Sequence, residues 1–378
     1  MKSFIISRGI PSEKYPLYGI FEFDQAKALA ESGVDTSMLV IDFRSMAYKR
    51  KYGLFSYERD GVKVFELSLP LGVYRRALPI LQRLCMFLYR KAIKEVGRPD
   101  VVHAHFYSIA AIASIIKKKD KVPFFITEHS SKLNKAANLI SELDKRLVVK
   151  AYSAADSVIS VSSLLSTSIK CNFGFDSYVV HDIVDTTSYQ YIKHDNNQQF
   201  VFFSVGNLIP RKGFDVLIKA FYKAFANDKD VFLSIVGEGE ERVALQNIIN
   251  QYNIGDRVKL LGLKTRPELS ALMQKSDAFA LASQIETFGV VYIEAMASGK
   301  PVIATRCGGP EDFVNENNGV LIPVNDVDSL ANALTYMCLN IDKYDGAKIS
   351  QECNERFSPL SIAKEIVRQY DKVLKGIN

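Results

Sequence analysis

The sequence predicts an α/β protein built from two domains, each with a parallel sheet. The chain has 378 residues, which exceeds the usual size of a single domain. Short apolar runs alternate with amphipathic segments along its length, a pattern typical of buried parallel strands with helices between them. A polar segment without periodicity, at 193–199, separates two parts that are each large enough to form a core.

The elements follow in order from these patterns. Runs rich in β-branched and aromatic residues predict strands, and apolar residues at helical spacing predict helices. In the first part we predict strands at 2–7, 36–41, 62–67, 101–103, 124–127, 157–161 and 178–181, and helices at 20–31, 78–95, 108–117, 140–151 and 163–171. In the second part we predict strands at 200–205, 231–236, 258–261, 278–282, 302–304 and 320–321, and helices at 214–225, 241–252, 266–274, 290–297, 327–338 and 360–375.

Composition limits the class of protein. Hydrophobic residues make up 48% of the chain and charged residues 24%, which is ordinary for a soluble globular protein. No apolar run reaches the roughly 18 residues of a membrane span, and the N-terminus reads as the first strand rather than a signal peptide. The five cysteines are odd in number and scattered. They indicate reduced thiols in a cytoplasmic protein, with no disulfide framework or zinc site.

Charge is distributed unevenly between the two parts. Residues 1–195 carry 28 Lys and Arg against 20 Asp and Glu, a balance of +8, whereas residues 196–378 carry 20 against 22, a balance of −2. A basic and apolar segment at 75–94 predicts a helix. Such a helix could lie on an anionic membrane, or it could simply cover the sheet, and its periodicity fits both.

The stretch 286–304 is the most informative in the chain. It places two carboxylates eight positions apart, Glu286 in a loop after an apolar strand and Glu294 inside the helix that follows. The first backbone N–H groups of that helix have no intrahelical partner and can bind an anion. Two carboxylates around such a helix start could bind the two ends of one polar ligand.

This stretch resembles the Glu-x7-Glu signature of the retaining glycosyltransferases of family four, without a gap. The resemblance extends over nearly the full chain and is strongest from Phe200 to Pro310. It implies the GT-B fold, with two Rossmann-like domains whose parallel sheets face a central cleft. It also implies transfer of a sugar from a nucleoside-diphosphate sugar with retention of anomeric configuration, and a C-terminal helix that crosses back to the first domain.

The resemblance assigns roles to residues of the second domain. Glu294 would bind the ribose hydroxyls and Glu286 would face the donor sugar. Arg211 and Lys212, in the turn that follows the strand at 200–205, suit a diphosphate because they offer a planar fork and a point charge. Further contacts to the donor would come from Gly206, Leu263, Lys264, Phe288, Gly289 and Val290.

The first domain carries fewer signals. His129 follows the strand at 124–127, where the family has a histidine near the donor sugar. The family's Gly-Gly loop after the first strand is represented by Tyr18 and Gly19, so only one of its glycines remains. His103 and His105 face one side of a strand but lack further ligands at metal-site spacing, and we predict that they are core or supporting residues.

The resulting hypothesis divides the chain into an acceptor-binding domain (1–192), a linker (193–199), a nucleotide-sugar domain (200–357) and a C-terminal helix (358–378). The enzyme would be a retaining hexosyltransferase without metal or other cofactor. It would act on a glycan or lipid-linked acceptor in surface polysaccharide biosynthesis, in the cytoplasm and on an anionic inner-membrane surface. No nucleic-acid partner is expected.

Other classes of protein remain to be compared with this hypothesis. Two Asp-x-Asp strings, at 228–230 and 326–328, could indicate a metal-dependent GT-A transferase, but both fit local turns and helix starts. A nicotinamide oxidoreductase should have Gly-x-Gly-x-x-Gly after its first strand, and this chain does not. A GT-B-like sugar-nucleotide epimerase and a non-catalytic nucleotide-sugar-binding module remain as alternatives.

Overall fold

The computed structural model describes residues 1–72, 77–134, 136–193 and 199–376. Contacts group the chain into two compact units, the first formed by Met1–Ile183 with Pro359–Asn378 and the second by Val184–Ser358. The division therefore falls before the predicted linker, most of which, at 194–198, lies outside the described residues. Residues ahead of that linker already pack within the second unit, since the Ser270 hydroxyl donates to the carbonyl oxygen of Ser188 over 2.6 Å.

The first unit contains an eight-stranded sheet covered by helices. Its strands are β1 (Lys2–Ser7), β2 (Asp35–Asp42), β3 (Gly53–Arg59), β4 (Val62–Ser68), β5 (Val101–His105), β6 (Phe124–Glu128), β7 (Ser157–Ser160) and β8 (Tyr178–Val179). The helices between them are α1 (Ile20–Glu31), α2 (Leu78–Val96), α3 (Tyr107–Asp120), α4 (Glu142–Tyr152) and α5 (Ser163–Phe173). The strand order is β3-β4-β2-β1-β5-β6-β7-β8, and every pairing except β3 with β4 is parallel.

The second unit contains a fully parallel sheet of six strands. These are β9 (Phe200–Val205), β10 (Val231–Val236), β11 (Val258–Leu260), β12 (Ala278–Leu281), β13 (Val302–Thr305) and β14 (Gly319–Ile322), in the order β11-β10-β9-β12-β13-β14. Its helices are α6 (Phe214–Phe225), α7 (Arg242–Gln251), α8 (Arg266–Gln274), α9 (Val290–Ala297), α10 (Val327–Leu339) and α11 (Gly346–Phe357). The predicted class, α/β with two parallel-sheet domains, is confirmed.

The C-terminal helix α12 (Pro359–Leu374) belongs to the core of the first unit. Ile362, Ile366 and Tyr370 are buried there beside residues of β1 and α1. Each buried side chain of this size stabilises the fold by about 1.5–3 kcal/mol. The Tyr370 hydroxyl also lies 2.6 Å from Nδ1 of His103, so the last helix contributes both apolar and polar contacts.

Two elements were missed by the sequence analysis. Strand β3 is an edge strand whose side chains are all at least partly exposed, so it lacks an apolar run. Helix α11 is mostly polar and begins where the Asp345 side chain accepts from the backbone N–H groups of Ala347 and Lys348. Within the described residues, no helix has both the length and the hydropathy that a membrane span requires.

Candidate functional site

The residues predicted to bind a ligand in the second unit lie in loops at one edge of its sheet. Gly206 follows β9, Leu263 and Lys264 come soon after β11, and Glu286 follows β12 before α9 begins. Because all six strands are parallel, these loops share the carboxyl edge, where open α/β sheets bind their ligands. The fold therefore brings together predicted residues that are far apart in sequence.

Lys212 and Glu286 form an ion pair at this edge. The Lys212 Nζ atom lies 2.5 Å from Oε1 of Glu286, and both side chains are largely buried, with exposures of 12% and 9%. The Ser283 hydroxyl donates to the same oxygen over 2.7 Å. The two predicted residues thus contact each other directly, and partial burial strengthens their attraction.

The backbone of Glu286 is fixed by the neighbouring loop. Its N–H donates to the carbonyl oxygen of Cys307 over 3.1 Å, and its own carbonyl accepts from Gly309 N–H over 3.0 Å. The two segments therefore form a short parallel bridge between Glu286 and Gly308. Main chain and carboxylate are both held, so the orientation of Glu286 is set by the second unit itself.

Arg211 differs from its neighbour. Its side chain is exposed, and within the described part of the chain its guanidinium has no ion pair or hydrogen bond. Its backbone carbonyl accepts from Gln284 N–H over 2.8 Å, which ties the turn to the loop that carries Glu286. An unpaired guanidinium on an anchored turn is available for an anionic ligand.

The start of α9 supplies backbone donors at the same edge. Gly289 precedes the helix with φ of 102°, and Val290 is its first residue. Phe288 is buried and packs against Phe313 and Phe357, with ring centroids 5.6 and 5.8 Å away. This packing anchors the helix start, whose first N–H groups are free to bind an anion.

Glu294 lies further along α9 and is half-buried. The sequence analysis did not identify its neighbour, Tyr189. The pKa of Tyr189 is raised, mainly by burial and next by the carboxylate of Glu294, although Arg266 lowers it. The tyrosine hydroxyl is therefore neutral beside Glu294. No local pattern indicates this contact, because the two residues are brought together only by the fold.

One glycine at this edge is required because two backbone segments approach each other closely. Gly237, which follows β10, has φ of 147°, and a Cβ there would collide with the carbonyl oxygen of Gly206. The Gly237 N–H donates to the Gly262 carbonyl over 3.0 Å.

Beyond Gly262, Leu263 is 73% exposed and Lys264 lies 3.9 Å from Glu268. Leu263 is thus exposed, and the Lys264 side chain is partly exposed.

The two Asp-x-Asp strings serve local structure. Asp326 caps α10, because its side chain accepts from the backbone N–H of Ser329. Asp228 accepts from the N–H of Asp230 over 3.0 Å in the turn before β10. In the described ranges there is no group of three or more His, Cys, Asp or Glu side chains suited to a metal ion. Whether the reaction needs a metal stays a prediction.

In the first unit, His129 lies at the carboxyl edge of the sheet, directly after β6. Its Nδ1 is 2.8 Å from Oδ1 of Asp182, and its Nε2 is 2.8 Å from Nδ1 of His105. The ring is buried between Phe106 and Phe21, with centroids 4.9 and 5.8 Å away. Sequence reasoning missed Asp182, which lies 53 positions away in the loop after β8.

His103 and His105 stack on each other with centroids 5.1 Å apart, and both are fully buried. Burial lowers the pKa of His103 to about 3 and that of His105 well below its usual range, with a further lowering from His129. They are therefore neutral rings behind His129.

The loop after β1 departs from the family pattern at Tyr18. The ring of Tyr18 packs so closely on Gly9 that a Cβ at that glycine would overlap it. The guanidinium carbon of Arg44 lies 3.7 Å from the centroid of the same ring. Gly19 has φ of 79° and passes against the Gly9 carbonyl, where a side chain would collide. Tyr18 thus forms part of a compact loop, and the remaining glycine is needed for its turn.

Comparison with solved structures identifies the fold. The fold matches sucrose-phosphate synthase from Thermosynechococcus elongatus, with a TM-score of 0.80 at 19% identity and full coverage of both chains. It also matches HepE from Anabaena in complex with UDP and glucose, with a TM-score of 0.73 at 20% identity, covering 98% of this chain and 100% of the other. The fold, with two parallel-sheet units, is GT-B.

Sequence comparison gives the family. The model for glycosyl transferases group 1 matches residues 188–348, and the model for glycosyltransferase family 4 matches residues 23–188. The chain belongs to the group 1 glycosyltransferases of family four, as the resemblance implied, and it is a glycosyltransferase.

Individual relatives agree with this assignment. An uncharacterized glycosyltransferase of Methanocaldococcus jannaschii is 29% identical over 64% of this chain and 66% of its own length. The putative teichuronic acid biosynthesis glycosyltransferase TuaC of Bacillus subtilis is 25% identical over 99% of both chains. The lipopolysaccharide core biosynthesis glycosyltransferase LpsE of Rhizobium meliloti is 35% identical, but over only 35% of this chain and 38% of its own.

Proposed function

We propose that this glycosyltransferase moves a sugar from a nucleoside-diphosphate sugar to a glycan or lipid-linked acceptor, with retention of anomeric configuration. The bond from the anomeric carbon to the diphosphate oxygen breaks, a bond to an acceptor hydroxyl oxygen forms on the same face, and the hydroxyl proton is released. Retention rests on the family-four resemblance, and the acceptor class rests on the relatives described above.

The observation that carries the proposal is the charged cluster at the carboxyl edge of the second sheet. Lys212 is held against Glu286, and the exposed guanidinium of Arg211 is one residue away. Negative charge develops on the diphosphate as it leaves, and fixed cations with helix N–H groups stabilise such charge electrostatically. In this proposal the two cations supply the positive charge that a metal ion provides in other transferases.

In this proposal the two carboxylates of the site contact different parts of the donor. Glu286 faces the sugar, and Glu294 accepts from the ribose hydroxyls beside the neutral hydroxyl of Tyr189. The complex of HepE with UDP and glucose supports a nucleoside-diphosphate donor, because that protein shares the fold. His129 of the first unit would act near the donor sugar, as the resemblance implies.

The names of the relatives suggest the acceptor class. TuaC is assigned to teichuronic acid biosynthesis and LpsE to lipopolysaccharide core biosynthesis. The second of these names refers to a polysaccharide that is joined to a lipid. We extend the proposal to a surface polysaccharide acceptor built on a lipid, which requires the cytoplasmic enzyme to work at an anionic membrane.

A groove along α2 supports membrane contact by the first unit. It is a cavity of about 950 Å³ between α2, α3 and β3. Its walls carry five cations that form no ion pair among the described residues: Arg83, Arg90, Lys91, Lys94 and Lys119. The nearby carboxylate of Glu95 is already engaged by Lys63 at 3.4 Å and by the Ser56 hydroxyl at 3.1 Å.

Apolar side chains interleave with these cations. Phe87 lines the groove and is 53% exposed, and Ile80 on the same helix is 57% exposed. Unpaired cations attract lipid phosphates, while exposed apolar groups enter the interface. Arg75 and Arg76, which the sequence analysis included in this basic segment, lie outside the described residues.

Product analysis tests the transfer reaction. The protein is incubated with a panel of nucleoside-diphosphate sugars, first alone and then with bacterial lipid extract, and the products are identified by mass spectrometry. A glycosylated acceptor that forms only with extract supports transfer. Its formation in the presence of EDTA would support a reaction without a divalent metal. A new sugar nucleotide formed without extract would support the epimerase alternative. Binding without either product would support the binding module.

Two substitutions connect the reaction to the charged cluster. Arg211→Ala and Lys212→Ala should each lower kcat by about 10²–10³, the usual effect of losing one contact to developing negative charge. Lys223→Ala is the matched control, because Lys223 of α6 forms an exposed ion pair with Asp328 of α10. Unchanged turnover in both site variants, at saturating and subsaturating donor, would contradict the assigned role.

A further inference from the structure

The first unit holds a short series of close polar contacts with His129 in the middle. Nδ1 of His129 lies 2.8 Å from the carboxylate of Asp182, and Nε2 lies 2.8 Å from Nδ1 of His105. His105 ends strand β5 and His129 directly follows β6, the neighbouring parallel strand, whose register pairs His105 with Thr127. Both ring nitrogens of His129 therefore have a partner at hydrogen-bond distance.

The identity of these partners restricts where the protons are. Asp182 can only accept, so Nδ1 of His129 carries a proton. The contact with His105 contains one proton, which belongs either to His129 or to His105. If His129 donates, it is an imidazolium and His105 is a neutral ring protonated at Nε2. If His105 donates, His129 is neutral.

Charged groups around the two rings favour the first arrangement. Three carboxylates raise the pKa of His129: Asp182, which lies 2.8 Å away, Glu22 from α1 and Glu128 from β6. Burial lowers the pKa of His129, but these carboxylates outweigh it and the net change raises that pKa. On the other side, burial, His129, His103 and the cation of Arg8 all lower the pKa of His105. His181 lines the same small cavity beside His129 and Asp182.

The surrounding contacts keep these residues in place. His105 stacks on His103, whose Nε2 is 2.7 Å from the Thr127 hydroxyl and whose Nδ1 is 2.6 Å from the Tyr370 hydroxyl of α12. Phe106, which precedes α3 with φ of 63°, covers the His129 ring. The imidazole of His129 cannot turn without breaking these contacts.

We infer that Asp182 and His105 are positioning residues for His129, which fix its ring and keep a proton on each nitrogen, so that His129 is a cation at neutral pH. The consequence for catalysis rests on the proposed function, in which His129 lies near the donor sugar. There, a fixed cation would stabilise negative charge that develops on the donor as the sugar is transferred.

Nuclear magnetic resonance tests the proton assignment in the wild-type protein. The chain has five histidines, so single His→Gln variants assign the ring ¹⁵N signals. At pH 7 His129 should show the two similar nitrogen shifts of an imidazolium, and His105 the widely separated shifts of a neutral ring. A neutral His129 at pH 7 would overturn the inference, whatever the activity.

Asp182→Asn then tests the positioning role. In this variant the burial of His129 is no longer offset by Asp182, so its ring should become neutral at pH 7 and kcat should fall by up to about a hundredfold. Wild-type kcat should decline as pH rises through the raised pKa of His129, and the variant's decline should move to lower pH. Asp182→Glu should restore part of kcat and move its decline back toward the wild-type pH. Asp176→Asn is the control, because Asp176 forms an exposed ion pair with Lys170 in the same unit.

The outcomes separate this inference from the proposed function. An imidazolium that persists in Asp182→Asn would overturn the role of Asp182. A neutral ring with unchanged kcat and pH profile would overturn the contribution of His129 to transfer. The transfer reaction itself is judged from the products of the wild-type protein, so its failure is recognised independently.

Discussion

Lys212 and Glu286 lie 74 positions apart in the chain, and the fold joins them in a largely buried ion pair. Removing one member of such a pair leaves the other charge without its partner. In the free protein Glu286 is paired with Lys212, the same cation that we propose binds the diphosphate. This competition makes the two carboxylates of the site distinguishable by experiment.

Glu286→Gln and Glu294→Gln should have different effects on the binding of a free nucleoside diphosphate. Glu286→Gln releases Lys212 for the diphosphate, so affinity should stay the same or rise, while turnover of the intact donor falls. Glu294→Gln removes a charged acceptor for the ribose hydroxyls and should weaken binding by roughly tenfold, about 1.4 kcal/mol. Isothermal titration calorimetry measures both affinities.

The control for these substitutions is Glu355→Gln, which alters an exposed carboxylate on α11 that accepts from Gln351. It should leave affinity and turnover unchanged. The opposite ranking, with weaker nucleotide binding in Glu286→Gln than in Glu294→Gln, would mean that the two roles are misassigned.

The sequence indicated which residue types would gather at the site, but not which of them touch. Position after a strand or within a helix, together with the resemblance to family four, singles out Arg211, Lys212, Glu286 and Glu294, and their role in binding stays a prediction. Their mutual contacts, and those of His129 with Asp182, depend on strand order and on side-chain direction. Neither property leaves a local signal in the chain.

At the scale of elements, most helices and strands could be predicted because their apolar periodicity is strong. The exceptions have physical reasons. Strand β3 pairs only with β4 and buries neither face completely, so its alternation is weak. Helix α11 packs on α9 through a few side chains, including Cys353 and Phe357, and is otherwise polar. The edge strand and the polar helix both lack the apolar pattern on which the prediction relied.

Gly237→Ala should destabilise the second unit and impair donor binding. The residue has φ of 147°, and its Cβ would collide with a backbone carbonyl that cannot move aside without shifting the β9 turn. Strained backbone of this kind costs about 1–3 kcal/mol before the collision is counted, so we expect a loss of at least about 2 kcal/mol in unfolding free energy. Chemical denaturation followed by fluorescence of the 18 tyrosines measures it.

Gly255→Ala is the matched control for that substitution. The nearest atom to its Cβ would be Cγ2 of Ile249 at 3.7 Å, an ordinary contact, and its φ is not in the left-handed region. Its effect should stay within about 0.5 kcal/mol. Equal stability of the two variants would show that the close approach of the β9 and β10 turns is not required.

At the scale of the whole molecule, the chain leaves the first unit at Ile183 and returns to it at Pro359. The sequence predicted two domains from length and element order, but placed the division at the polar segment 193–199. It missed that residues just before this segment, such as Tyr191, whose ring packs against Gly299 and Gly346, belong to the second unit. Polarity marks a loop, whereas the unit to which a loop belongs depends on tertiary packing.

Charge asymmetry is the second property of the whole molecule, and it yields a prediction about membrane binding. Replacing Arg83, Arg90, Lys91 and Lys94 by Gln should release the protein from phosphatidylglycerol vesicles. Each such residue near an anionic surface contributes about 1 kcal/mol, so removing all four should weaken partitioning by up to about a thousandfold. Cosedimentation at low salt measures the partition coefficient, and wild-type binding should weaken as salt is raised.

A second variant with the same loss of charge separates the groove from net charge. Lys132, Lys145, Lys150 and Lys170 belong to the first unit but do not line the groove. Replacing them by Gln should lower vesicle binding much less, and donor binding should be intact in both variants. Phe87→Ser should lower binding without altering its salt dependence, because it removes apolar contact only. Equal wild-type cosedimentation with phosphatidylglycerol and phosphatidylcholine vesicles, unaffected by salt, would instead show that the five cations form an ordinary solvated face, and the acceptor would then have to reach the enzyme without this groove.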